Sequence, residues 1–175
     1  MPDANFIVRT ASAADVGIIA RHRAEMFRDI HGLDDSTCAV LLDASRTALD
    51  PLLASGDYLG WLASPVDDPR HIVGGAGIRL RAALPSVQKH AGRTTVTVGR
   101  QGLIVNVFTE HAWRRRGLAG LLMRRLMSDV QQLELASIVL HASADGRPLY
   151  RALGFEATNE MRYAGAPRTD SDSEN

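Results

Sequence analysis

An apolar run, Leu103-Ile104-Val105-Asn106-Val107-Phe108, leads within a few residues into Trp113-Arg114-Arg115-Arg116-Gly117-Leu118-Ala119-Gly120. A nearly continuous apolar strand is covered on both faces and belongs at the centre of a sheet. Behind it, Ala119, Leu122, Met123, Leu126, Met127, Val130 and Leu133 recur at intervals of three and four, the signature of one buried helix face. Residues 137–142 follow as another strand. Strand, helix and strand in this order call for a crossover that lays the two strands parallel, which commits the chain to a layered α/β fold.

The flanking elements are read from the same signals. Phe6-Ile7-Val8 is a short strand, and Ser12 with Asp15 three residues on forms a capping box that opens a helix. Val16, Ile19, Ala20, Ala24, Phe27 and Ile30 continue it at helical spacing. Residues 34–54 predict a second, less regular helical region, bent or broken at Pro51. Residues 57–63 form a strand, turned by Asp67-Asp68-Pro69 into an antiparallel partner over 71–80. Gly74, Gly75 and Gly77 mark close neighbours in that strand, not a phosphate loop. Residues 81–100 have no clear period and read as a loop or extended excursion. A short helix over 147–152 is closed by Leu153-Gly154, and short strands are expected over 155–157 and 160–163. Residues 164–175 offer nothing apolar to bury and predict a disordered tail. In a chain of 175 residues with 45% hydrophobic content, one core is the expectation, giving a single domain over 1–163.

Charge narrows the function classes. Twenty acidic residues balance twenty basic ones, so no global field draws the chain to nucleic acid or to an anionic membrane. Locally the balance breaks: from Arg79 to Arg125 there are ten bases and one acid, Glu110, whereas the first fifty residues hold eight acids and five arginines. The arginine cluster is short and lacks interleaved aromatics beyond Trp113, which weighs against nucleic-acid binding. One cysteine, Cys38, rules out an intrachain disulfide and reads as a small core residue. The histidines lack metal-ligand spacing. With no signal peptide and no apolar run long enough to span a bilayer, a cytoplasmic protein without a membrane partner is expected.

A strand that feeds a cationic turn and then a helix aims free backbone N–H groups and the positive end of the helix dipole at one place, an anion site. Gly117 lets a phosphate approach the backbone. Arg114-Arg115-Arg116-Gly117-Leu118-Ala119 resembles the Gln/Arg-x-x-Gly-x-Gly/Ala element of the GNAT superfamily of N-acetyltransferases. Asn106-Val107-Phe108-Thr109-Glu110 is similar to that family's fourth strand. Leu140-His141-Ala142-Ser143, continued by Pro148-Leu149-Tyr150-Arg151-Ala152-Leu153-Gly154-Phe155, is similar to its fifth strand and following helix. The three blocks keep the family's order and spacing across residues 101–156.

This resemblance implies a mixed, mostly antiparallel central sheet of six to seven strands with flanking helices, whose fourth and fifth strands splay apart at a bulge. It implies acetyl-CoA as cosubstrate, with no metal. Val107, Phe108 and Thr109 would meet the pantetheine arm, and Arg114, Arg115, Arg116, Gly117, Leu118, Ala119 and Gly120 the diphosphate. Tyr150 matches the tyrosine that protonates the departing thiolate in many members. Arg147 and Ser143 are further coenzyme contacts to consider. The acceptor would be an amine, of a small molecule first and of a protein or peptide second; a silent coenzyme-binding sensor is a third reading. The base stays open among Glu25, Asp29, His31, Glu110 and His141, since the apolar Leu103-Ile104-Val105 lacks the glutamate of some protein-modifying relatives. Residues 26–38 occupy the place of an acceptor lid, where Asp29, Asp34 and Asp35 would favour a cationic amine and Phe27 and Trp61 would supply apolar walls. Family analogy allows a homodimer.

Overall fold

The computed structural model describes residues 5–90, 92–158, 160, 161 and 163. Its elements run β1 (Phe6–Thr10), α1 (Val16–His31), α2 (Asp35–Ser55), β2 (Tyr58–Pro65), β3 (Gly74–His90), β4 (Arg93–Thr109), α3 (Leu118–Val130), β5 (Ser137–Leu140) and α4 (Arg147–Ala152). The strands form one sheet in the order β1-β2-β3-β4-β5. Neighbours are antiparallel except β4 and β5, which pair in parallel across the α3 crossover.

Two layers of helix cover the sheet. On one face Leu118, Leu122, Met123, Leu126 and Val130 of α3 pack on Trp61, Ala63, Ala76, Ile78 and Ile104. On the other, Ile19 and Ala20 of α1 and Leu49 of α2 pack with Tyr58 and Leu62. Helix α1 is set by the predicted capping box: Asp15 accepts from the Ser12 N–H at 2.8 Å and pairs with Arg9 at 2.7 Å. Gly32, in the left-handed region at φ 65°, ends it.

Several expectations change. Helix α2 runs through Pro51 without a break. Pro51 loses one ladder bond, but Leu42, Leu49, Leu52 and Leu53 pack on the same core from both sides of it. Residues 81–90 and 93–100, expected as a loop or extended excursion, are the extended form: they lengthen β3 and β4 into a hairpin turned at Gly92, φ 76°. That ribbon is largely exposed along its described side chains, so no alternation betrays it, and backbone pairing with a Ser86–Thr97 hydroxyl contact holds its register. Among the described residues there are five strands, not six or seven. Residues 155–157 are not a strand: Phe155 N–H donates to Tyr150 O and Gly154 N–H to Arg151 O, using those groups to close α4. Glu160, Met161 and Tyr163 carry no strand either, and the remainder of that expected strand lies outside the described residues. So does the tail at 164–175. No helix among the described residues is long and apolar enough to cross a membrane.

One close approach organises the α1 face. The Tyr58 ring lies across β3 at Gly77, where a Cβ would overlap the phenol. Gly77→Ala should therefore destabilise the protein by about 1–3 kcal/mol, the range for overpacking, whereas Gly17→Ala, into open space in α1, should cost nothing. Denaturant unfolding of the two variants checks this, and equal midpoints would contradict it. A second expectation concerns acid. Hydrogen bonding from Arg9, helped by Ser12, lowers the Asp15 carboxyl to about 2 against the opposing effect of burial. The stability this contributes is complete above the unfolded value near 4 and is lost as pH falls through about 2. The unfolding midpoints of wild type and Asp15→Asn should thus converge between pH 5 and 2; a constant gap would count against the linkage.

Candidate active site

The site begins where β4 stops following β5. Their parallel pairing joins Gln101–Ile104 to Ser137–Leu140 and ends there. Beyond it, Val105, Phe108 and Thr109 pair with Gly77, Gly75 and Gly74 of β3, but no strand among the described residues flanks β4 on its other edge. Between Val105 and Phe108 the β3–β4 register slips by one residue. Asn106 occupies the left-handed region at φ 57° inside this bulge.

Asparagine tolerates that conformation better than most residues, and its side chain is held from two sides. Its Oδ1 accepts from Arg23 Nη1 at 2.7 Å, and its Nδ2 donates to the Tyr58 hydroxyl at 3.0 Å. Asn106 and Tyr58 are both buried, and burial pushes the Tyr58 phenol up to about 12, so it stays protonated. Phe108 packs against His22 of α1, ring centroids 5.0 Å apart. Burial, then the neighbouring Arg21 charge, lowers His22 to about 4, so it is neutral at pH 7. Among the described residues neither of its ring nitrogens makes a close hydrogen bond, the nearest carboxylate being Glu110 at 3.7 Å from Nε2.

The turn after β4 has the left-handed residues from which amide nests are built. Arg115 at φ 63° and Gly117 at φ 81° both sit in that region, the conformation that alternates with right-handed residues in anion-binding nests. Leu121 N–H donates to Gly117 O at 3.0 Å. The N–H groups of Leu118, Ala119 and Gly120 therefore stand ahead of the α3 ladder. Arg115 and Arg116 are exposed, with the Arg116 guanidinium 4.8 Å from the Trp113 ring centroid. Arg114 turns the other way. It pairs with Asp29 of α1, donates through Nε to Thr109 O at 3.0 Å and lies 5.8 Å from the Phe108 centroid. Leu118 is buried in the core, and Gly120 faces α4, where a Cβ would lie 3.6 Å from Leu149.

A diphosphate and pantetheine arm would fit these residues on two counts. The exposed turn from Arg115 to Gly117 leads into the free amides that head α3, and among the described residues the Thr109 hydroxyl oxygen is buried without a hydrogen-bond partner at the end of the unpaired β4 edge. Tyr150 of α4 is half-buried 6.1 Å from the Phe155 ring centroid, in space left by Gly146, whose Cβ would lie 2.9 Å from it. Burial raises its phenol above the ordinary value, favouring the protonated donor. The Ser143 hydroxyl accepts from Gly146 N–H at 3.2 Å, and Arg147 is exposed.

The expected bases and acceptor acids are largely engaged. Burial opposes ionisation of Asp29, yet hydrogen bonds from Arg114 and His111 hold it below the usual carboxylate range. Glu110 meets Arg21 at 3.0 Å, His71 at 3.3 Å and His22 at 3.7 Å. Glu25 lies 3.8 Å from Arg21, His31 stacks on Phe27, and exposed His141 lies 3.5 Å from Glu160. Asp34 caps α2 through Thr37 N–H, and Asp35 pairs with Arg28. Trp61 is buried on the α3 face, its indole donating to Asp129 at 2.7 Å, so it is a core residue and not a wall beside Phe27. Buried Cys38 accepts from Arg28 Nε at 3.1 Å. No group of three or more His, Cys, Asp or Glu able to hold a metal occurs among the described residues. Nothing local in the sequence marks Arg23, His22 and Tyr58; a lone asparagine inside an apolar strand is the available signal for the bulge they surround.

Comparisons agree with this geometry. A family model described as an acetyltransferase (GNAT) domain matches residues 85–166. Among solved structures, a GCN5-related N-acetyltransferase from Ralstonia eutropha JMP134 is 30% identical, with a TM-score of 0.76 over 90% of this chain and 97% of that one. A predicted acetyltransferase from Clostridium acetobutylicum, solved with acetyl-CoA, is 24% identical, with a TM-score of 0.73 over 91% and 96%. No curated protein matches the sequence. With the splayed strand pair, the amide nest and the likeness to the Ralstonia protein in agreement, the chain belongs to the GNAT family of acetyltransferases.

Proposed function

We propose that the protein transfers the acetyl group of acetyl-CoA to the primary amine of a small molecule by direct attack in a ternary complex. The observation that carries this reading is the stretch of β4 from Val105 to Thr109, left without a strand on one edge and leading straight into the amide nest at Gly117. Unpaired main-chain groups on a sheet edge receive an extended arm as if it were a further strand. Amides at a helix head receive its diphosphate.

Their positions support the following roles. Main-chain groups of Val107, Phe108 and Thr109 hold the pantetheine arm, and a backbone N–H at Val107 or Phe108 stabilises the negative charge that builds on the thioester oxygen. The nest at Arg115–Gly117 and the N–H groups of Leu118, Ala119 and Gly120 hold the diphosphate, with Arg115 and Arg116 adding side-chain charge. Arg114 contributes by fixing the turn to α1 through Asp29. As the amine nitrogen bonds to the carbonyl carbon and the carbon–sulfur bond breaks, the Tyr150 hydroxyl gives its proton to the leaving thiolate. The proton lost by the amine passes to solvent or to a nearby base. No side-chain nucleophile is required.

Two variants separate binding from chemistry. Tyr150→Phe should lower kcat about a hundredfold or more and leave the affinity for acetyl-CoA unchanged. Gly117→Glu places a carboxylate in the nest and a side chain at φ 81°, and should abolish coenzyme binding. Thiol release over a panel of small amines and of peptides, with calorimetric titration of acetyl-CoA, measures both. Equal binding and turnover in wild type and the two variants would contradict the assignment, and turnover with peptides alone would move the acceptor to proteins.

A further inference from the structure

We infer that Arg23 is the acceptor-recognition residue, and that the acceptor is an amine carrying an oxyanion, a carboxylate or a phosphate, a short linker from its nitrogen. The inference rests on the acetyl-transfer reading and concerns the opposite side of the same site.

Helix α1 carries several arginines, and Arg23 is set apart from its neighbours. Arg21 pairs with Glu110 at 3.0 Å and Arg28 with Asp35 at 2.8 Å. Arg23 pairs with no carboxylate among the described residues. Its contacts are neutral: Asn106 Oδ1 at 2.7 Å and the Phe27 ring, whose centroid lies 4.8 Å from the guanidinium carbon. It is nonetheless half-buried, and burial depresses its ionisation. A cation drawn partly out of water without a counter-charge is unfavourable. A neutral donor would serve Asn106 equally well, so the hydrogen bond alone does not account for a guanidinium there.

An incoming oxyanion does account for it. A guanidinium has five N–H donors, and contact with the Phe27 ring helps fix its plane. The remaining donors form a fork suited to carboxylate or phosphate oxygens. The position is also right. Arg23 holds the side chain of Asn106, the residue before Val107, so an anion bound by Arg23 would lie on the α1 side of the proposed thioester site, where a linked amine could reach it. The carboxylates expected to draw a purely cationic acceptor do not compete. Asp29 is held by Arg114 and His111, Asp34 by the start of α2, and Asp35 by Arg28.

Matched pairs test the inference: glycine against glycinamide, β-alanine against its amide, and O-phosphoethanolamine against ethanolamine. Binding to the CoA-loaded protein is measured by calorimetry and turnover by thiol release, in wild type, Arg23→Gln and Arg23→Lys. Gln keeps an N–H for Asn106 and loses the charge, whereas Lys keeps the charge. The oxyanion member of at least one pair should bind wild type about tenfold tighter or better, and the carboxylate and phosphate arms identify which anion is read. Arg23→Gln should erase that preference, and Arg23→Lys should retain part of it. Calorimetry reads recognition without chemistry, so absence of thiol release from every amine would overturn acetyl transfer while binding still judges Arg23. Equal binding within every pair in wild type, or a preference that survives in Arg23→Gln, would overturn the inference. So would a loss of acetyl-CoA affinity in Arg23→Gln with acceptor preference intact, which would assign the guanidinium to the coenzyme. Should Arg23→Gln fail to fold, the wild-type pairs and Arg23→Lys decide the matter.

Discussion

The separation of β4 from β5 after Ile104 is the constraint on which the site depends. A parallel pair that ran its full length would satisfy every main-chain group between the strands and leave no room for a ligand. The extra residue at Asn106 bends β4 and shifts its register against β3 while the pairing with β5 ends. Unsatisfied backbone at the centre of a sheet is tolerated only where something else completes it. In the proposed reaction the thioester arm does so, continuing from the open edge into the amides that head α3.

The bulge is held by a chain of contacts that begins well away from it. Gly77 has no side chain, so the Tyr58 ring crosses β3; the Tyr58 hydroxyl then receives the Asn106 amide, and Arg23 holds the amide's oxygen. These residues come from α1, β2, β3 and β4, so the α1 helix and the sheet jointly set the backbone at the bulge. Helix α1 is fixed again at its far end, where Asp29 meets Arg114 and His111. The helix proposed to face the acceptor is thereby fastened to the turn proposed to hold the diphosphate. Both halves of the proposed site share one frame, as alignment of two substrates would require.

What could be read from the sequence divides along physical lines. The α3 helix, the buried β4 strand, the β4–β5 crossover and the glycine turn were legible because each rests on local periodicity or on a single residue with restricted backbone freedom. The β3–β4 ribbon was not, because exposed strands carry no alternation of apolar and polar residues. The strand expected at Phe155 failed because the Leu-Gly-Phe ending closes a helix with the same amide a ladder would have needed. Of the candidate site, the β4 stretch and the glycine turn were legible and the side-chain contacts were less so. Arg114 reads as one cation among three, but its partner Asp29 lies 85 residues away in sequence. Arg23 and Tyr58 likewise gain their meaning only from contacts across the sheet.

Residue-resolved hydrogen exchange with and without acetyl-CoA tests the central claim most directly, because it reads the main-chain amides themselves. Slowed exchange at Val107 to Thr109 and at Leu118 to Gly120 on adding the thioester, with the Gln101–Ile104 ladder unchanged, is the result the account requires. Saturating acetyl-CoA that leaves both groups of amides exchanging at their free rates would contradict it.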